Sequence, residues 1–217
     1  MQKAIVIVAS GVELDPGASA DLLKVAGTIL AHTVTVRTPE CVGEGVAIAG
    51  TIITSLFLVR NHRMVSISSS GGETQAVVSD RDERNFLAKL EPVSLDVSSR
   101  KPIAGGERPR FNIGPIASHG DPLFMTDASG GAPVVTVAAM TYRINLFFKS
   151  AEAQPNAWRF DPKLPQGIIG GGVWNTNGKF VGLSLGRKIP FNVRALGDEN
   201  RLFALPAEEV MEFAETK

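Results

Sequence analysis

The chain has 217 residues, 44% of them hydrophobic, which is enough for one large domain or two small packed lobes. Lysine plus arginine, at 22, equals aspartate plus glutamate, at 22, so no net field draws the protein toward nucleic acid or anionic lipid. The single cysteine, Cys41, excludes an internal disulfide, and because free cysteines are among the most buried residues it is expected to be a small core residue rather than a nucleophile.

The N-terminus, MQKAIVIVASGVELD, has an apolar run from Ala4 to Ala9 that is shorter than the ~7–15 residue core of a secretory signal and far short of a membrane span. No signal peptide or transmembrane segment is therefore expected, and the cytoplasm is the default compartment. From Ser19 to Ala31 the apolar residues Leu22, Leu23, Val25, Ala26, Ile29 and Leu30 recur at helical spacing behind Asp21, which predicts a helix.

Short β-branched runs then follow, separated by most of the 22 glycines and 13 prolines. Strands are predicted near Thr33–Arg37, Gly45–Ala49, Thr51–Ser55, Met64–Ser68, Gln75–Val78, Leu123–Met125, Val134–Ile144, Gly171–Asn175 and Phe180–Leu185. Asn177-Gly178 joins the last two as a tight hairpin, since both turn residues tolerate positive φ. Strands at this spacing without intervening helices point to barrels or a sandwich rather than a βαβ fold. The Gly-, Pro- and Arg-rich stretch Ser98 to Asn112 reads as a connection between an N-terminal lobe, about 18–98, and a C-terminal lobe, about 113–217. Ser150 to Pro165 reads as a long surface loop. Pro206 opens a terminal helix with Glu208 and Glu209 in its first turn.

Three ordered segments resemble the trypsin-like serine proteases, specifically the bacterial high-temperature-requirement (HtrA) group. Gly43-Glu44-Gly45-Val46-Ala47-Ile48 and Thr51 to Val59 resemble a Gly-x-Gly strand and a strand ending in Thr-Asn-x-His-Val-Val, with Phe57 where the family has its histidine base. Asn85-Phe86-Leu87-Ala88-Lys89-Leu90 is similar to Asp-Leu-Ala-Leu-Leu, with Phe86 in place of the orienting aspartate. Gly167-Ile168-Ile169-Gly170-Gly171-Gly172-Val173 resembles Gly-Asn-Ser-Gly-Gly-Pro-Leu, with Ile169 in place of the nucleophilic serine. Gly120 to Met125, Val134 to Met140 and Leu202-Phe203-Ala204-Leu205-Pro206-Ala207 extend the likeness to nearly the whole chain. The resemblance implies an all-β fold of two six-stranded antiparallel barrels with a short N-terminal and a C-terminal helix, as one trypsin-like domain over 1–217 without a PDZ domain.

Acyl transfer by a triad needs a hydroxyl nucleophile, a base and an acid that fixes the base's tautomer, and phenylalanine and isoleucine supply none of these. On this register the chain is expected to be a pseudoprotease and not an enzyme. Gly167, Ile169, Gly170 and Gly171 keep the glycine pattern of the oxyanion turn, which serves a tight turn more often than an anion. His32, His62 and His119 are the weak candidates for a metal or a relocated site, but no pair has a zinc-motif spacing, so solvated loop histidines are expected and neither metal nor cofactor is. Trp174 falls within a predicted strand and reads as core. Trp158, in the polar loop beside Arg159 and Phe160, is a candidate interface anchor.

The expected function is a structural or regulatory subunit that binds another protein, with no nucleic-acid partner and no integral membrane segment. The alternatives are a peptide- or metal-binding protein, or an enzyme whose site has moved on the same fold.

Overall fold

The computed structural model describes residues 7–8, 20–48, 50–69, 72–93, 111–115, 122–128, 134–145, 156–160, 168–186 and 203–216. Helix α1 (Ala20–Ala31) comes close to its predicted bounds, and Ala26 and Ile29 turn its apolar face into the core. It runs directly into the barrel strands.

Six strands close a barrel in the order β2-β3-β4-β7-β6-β5. They are β2 (Thr33–Arg37), β3 (Val42–Ile48), β4 (Thr51–Ser55), β5 (Met64–Ser69), β6 (Gly72–Asp82) and β7 (Leu87–Pro92). All neighbours are antiparallel, with Val46 facing Ile53 and Ile53 facing Lys89 across the central strands. Closure removes the open edges that would otherwise template aggregation. Val36, Val46, Ile53, Ile67 and Leu90 are fully buried and form its core. A one-turn helix, α2 (Leu56–Val59), leaves the end of β4 and is capped by Ser55, whose Oγ accepts from the Phe57 amide.

The second lobe is a seven-stranded antiparallel sheet in the order β1-β9-β10-β13-β12-β11-β8, in which β9 also pairs with β8. Its strands are β1 (Ile7–Val8), β8 (Pro122–Asp127), β9 (Val134–Asn145), β10 (Asn156–Phe160), β11 (Gly172–Asn175), β12 (Phe180–Gly186) and β13 (Phe203–Pro206). Helix α3 (Ala207–Glu215) follows β13 and buries Val210 and Phe213.

The closed barrel is one of the two six-stranded barrels expected, and the second lobe is a seven-stranded antiparallel sheet. The seventh strand comes from the N-terminus, where Ile7 and Val8 pair with Val135 and Val134 of β9. Two local expectations also change. The stretch read as a surface loop contains β10, which pairs with β9 on one side and β13 on the other, so Trp158 sits in an inner strand opposite Arg143 and Ala204. Cys41 is exposed, not buried, because the turn from Thr38 to Cys41 places it on the barrel rim with its Sγ 3.4 Å from Thr38 Oγ1.

Candidate functional site

The elements carrying the three motif segments meet between the barrel and the second sheet. The α2 turn is tied down at its start, where the Leu56 amide donates to the Phe86 carbonyl at 2.7 Å and Ser55 Oγ donates to Leu185 O of β12 at 3.0 Å. Before Phe86, the Asp82 carboxylate accepts from the amides of Arg84 and Asn85 and from Asn85 Nδ2, which folds residues 82–86 into a tight turn. Phe86 ends that turn at φ +57°, a left-handed conformation costly for a bulky side chain. Backbone on both sides therefore fixes the neighbourhood of Phe57 and Phe86, whose rings stack with centroids 4.9 Å apart and planes 22° apart.

Ile169 lies on the turn 168–171, half-buried against the same core. A Cβ on Gly43 would meet both Ile169 Cγ2 and Leu58 Cδ2 at 2.7 Å, so the bare glycine lets the Ile169 side chain and the α2 residue Leu58 approach each other. The turn is pinned from two sides. On the barrel side the Glu44 amide donates to Ile169 O at 2.8 Å. On the sheet side the Gly170 amide donates to Ser184 O and the Ser184 amide to Gly171 O, each at 2.8 Å, while Ser184 Oγ donates to Ile168 O at 3.1 Å. Gly170 has φ +80°, and a Cβ there would overlap Glu44 O and Thr54 Oγ1. Its glycine is required twice over. The fourth residue assigned to this turn, Gly167, lies outside the described residues.

Glu44, the middle residue of the Gly-x-Gly motif, is the charged group that sequence reasoning passed over. It is fully buried, with Thr126 Oγ1 donating to its Oε2 at 2.6 Å, Thr54 Oγ1 donating to its carbonyl at 2.5 Å, and no protein partner on Oε1 among the described residues. Burial pushes its carboxyl up to about 8, the Thr126 hydroxyl pulls it down, and neighbouring Asp127 pushes it up again. A lone carboxylate inside an otherwise apolar strand was the only signal in the sequence.

The histidines do not gather. His32 is buried rather than solvated, because α1 ends against the second lobe and places the ring between Phe111, at 5.2 Å, and Trp174, at 5.9 Å. Trp174 is core, 1% exposed, and also meets Phe180 edge-on at 5.2 Å. His62 is on the surface beyond α2 with its Nε2 2.6 Å from Glu40 Oε2. His119 lies outside the described residues. Among the described residues no three histidine, cysteine or acidic side chains come together as a metal site, and no helix is long and apolar enough to cross a membrane.

A closed six-stranded barrel facing a second antiparallel sheet, with a one-turn helix, a tight turn and a glycine turn meeting between them, fits the trypsin-like fold. Solved structures of that class are similar to this one over most of its length. Rv3671c from M. tuberculosis, as an inactive serine-to-alanine mutant, gives a TM-score of 0.69 at 20% identity, covering 96% of this chain and 94% of that one. The MamO protease domain from Magnetospirillum magneticum gives 0.65 at 19% identity, covering 87% and 98%. The HtrA-type protease AlgW, with a tripeptide, gives 0.65 at 16% identity, covering 88% of this chain and 61% of that one. No family model matches the sequence, and no curated protein does. At these identities the likeness shows the fold alone. That fold belongs to proteins named as proteases, and this overturns the expectation that the chain is not an enzyme.

Proposed function

We propose that this chain binds another protein through the surface around the junction of its two lobes, as a structural or regulatory subunit on an HtrA-like scaffold. The observation that carries this reading is the stacked pair Phe57–Phe86 with Ile169 on the neighbouring turn, at the three positions the resemblance gives to the triad. None of these side chains takes or gives a proton, so serine-type acyl transfer has no route through them. Phe57 and Ile169 are partly exposed at the junction, and apolar and aromatic side chains so placed suit recognition, where a few such groups carry most of the binding energy. We read the chain as one trypsin-like domain with lobes at about 18–98 and 113–217. The pairing of β9 with both β10 and β8 supports a second barrel completed by β8, β11, β12 and β13.

Peptide cleavage is the second reading, favoured by the names of the structural neighbours. Its proton transfers would fall to other residues, and His62 is the described histidine with an orienting carboxylate, Glu40. The two readings separate in one set of assays on the pure protein. The binding reading expects a partner that stays bound at fixed stoichiometry through repurification and that slows hydrogen exchange at 55–59 and 168–171. Turnover of unfolded protein or fluorogenic peptides that disappears in His62→Ala overturns it.

A further inference from the structure

Glu44 is bonded to the second lobe through both its main chain and its side chain. Its main chain grips the 168–171 turn through the bond from its amide to Ile169 O, and its side chain reaches β8 through the 2.6 Å bond from Thr126 Oγ1. Space around it is closed. A Cβ on Gly171 would overlap Glu44 Oε2 and come within 2.9 Å of Thr126 Oγ1, so turn and carboxyl fit only because the turn is bare. Buried Oε1 has no protein partner among the described residues.

Among the described residues, the groups that pack around it bring no cation. From β8 comes Asp127, buried and of like sign. The turn, β4, β11 and β12 contribute no ionisable side chain, and across β2 the residue in register is Thr35. Among the described residues a single side-chain donor, the Thr126 hydroxyl, is therefore set against full desolvation and a neighbouring carboxylate. An ionised carboxylate buried without a cation is among the most costly groups a protein can hold, and the available relief is to move the turn and admit water.

We propose that Glu44 is a proton-dependent latch between the lobes: as a neutral carboxyl it holds the 168–171 turn and β8 against β3, and on ionising it releases the turn. Release frees the Glu44 and Gly170 amides from Ile169 O and Ser184 O and loosens the segment that carries Ile169. The latch would thus govern the same junction that the resemblance marks as the cleft.

The direction of the pH dependence follows from Glu44 ionising far more readily in the open form than in the closed one, where burial holds it at about 8. The open population then rises about tenfold per pH unit between about pH 5 and about pH 8, and levels off above. Native-state hydrogen exchange, corrected for intrinsic rates and followed at the Glu44, Gly170 and Ser184 amides in low urea, measures this directly. The expected result is that protection at these amides falls with that slope while hardly responding to urea, whereas core amides such as Ile53 and Leu90 exchange by urea-sensitive global opening. Glu44→Gln, which keeps an acceptor for Thr126 but cannot ionise, is expected to flatten the slope. Thr126→Val, which removes a hydroxyl donor favouring the charged form, is expected to carry the levelling-off to higher pH and serves if Glu44→Gln does not fold. Equal protection across the pH range in the wild type, the same slope in Glu44→Gln, an unmoved plateau in Thr126→Val, or exchange of the turn only by global unfolding would each overturn the latch.

Discussion

Replacing Gly170 with alanine isolates the close fit between the glycine turn and the barrel. Two costs add at this position. Alanine at φ +80° bears the left-handed penalty of about 1–2 kcal/mol. Its methyl also overlaps Glu44 O and Thr54 Oγ1, so the turn must withdraw from the barrel. Withdrawal breaks the 2.8 Å bond from the Glu44 amide to Ile169 O and strains the one from the Gly170 amide to Ser184 O. Leaving a buried backbone group without its partner costs about 1–3 kcal/mol. The total expected for Gly170→Ala is therefore about 2–5 kcal/mol, a large share of the roughly 5–15 kcal/mol that stabilises a typical domain. Gly50→Ala is the internal control, because Gly50 has φ +91° but nothing within 4 Å of the added methyl. It bears only the conformational cost. Urea unfolding followed by circular dichroism and tryptophan fluorescence reads both variants. A Gly170→Ala midpoint no lower than that of Gly50→Ala would refute the argument that the turn is seated in a space with no room for a side chain.

The pH dependence of global stability should follow Glu44. With its carboxyl pushed up to about 8 in the folded state against an ordinary 4.5, stability is fully present below 4.5 and is lost as pH rises toward about 8. That difference corresponds to on the order of 5 kcal/mol, and Glu44→Gln should remove this part of the slope in urea titrations between pH 5 and 8. Lys89, buried in β7, donates to Thr216 O at 2.7 Å beyond the end of α3 and stands 5.3 Å from the Phe213 ring centroid. Lys89→Met should cost about 1–2 kcal/mol and speed proteolysis at the C-terminal helix, with unchanged proteolysis counting against the clamp. Cys41, exposed on the barrel rim, should react with a thiol reagent in the native protein as completely as in urea. A native thiol that needs denaturant to react would contradict its placement.

Strands whose signal is local were legible in the sequence, and those whose signal depends on distant partners were not. Thr51–Ser55 reads directly because it is a short β-branched run, Thr-Ile-Ile-Thr, of the kind that fills a strand buried on both faces, and the Asn177-Gly178 turn fixes the hairpin of β11 and β12. Only Gln75–Val78 of β6 was read as strand. Its continuation through Asp82 is polar and largely exposed, a pattern that looks like loop until β7 pairs with it. In β7 itself the lysine interrupts the apolar run, and only the contact with the end of α3 explains why that lysine is buried. Strand β10 is short, flanked by polar residues, and defined by neighbours on both sides. Glu44 follows the same logic, since a turn far along the chain must fold over it before its charge becomes a buried one. Motif spacing marked Phe57, Phe86 and Ile169, but their juxtaposition needed the fold.

What holds the junction of the two lobes in place when Phe57, Phe86 and Ile169 there are all apolar? The answer lies in which atoms do the holding. The α2 turn is fixed by the Phe86 carbonyl, the glycine turn by the Ile169 carbonyl, and β12 by the amide and carbonyl of Ser184. Each bond uses main-chain atoms, which every residue supplies whatever its side chain. The side chains that are indispensable are the small ones: glycine at 43, 170 and 171, where any Cβ would collide. In this chain the junction therefore depends on backbone path and on glycine more than on the three side chains at its centre. Stacking Phe57 on Phe86 and seating Ile169 against the core place no polar side-chain group there, and so avoid the desolvation cost that an unpaired buried one carries. Glu44 is the exception that this logic isolates. It is a polar side chain at the junction with one oxygen bonded and the other without a protein partner among the described residues, and packing alone gives no reason to keep it there.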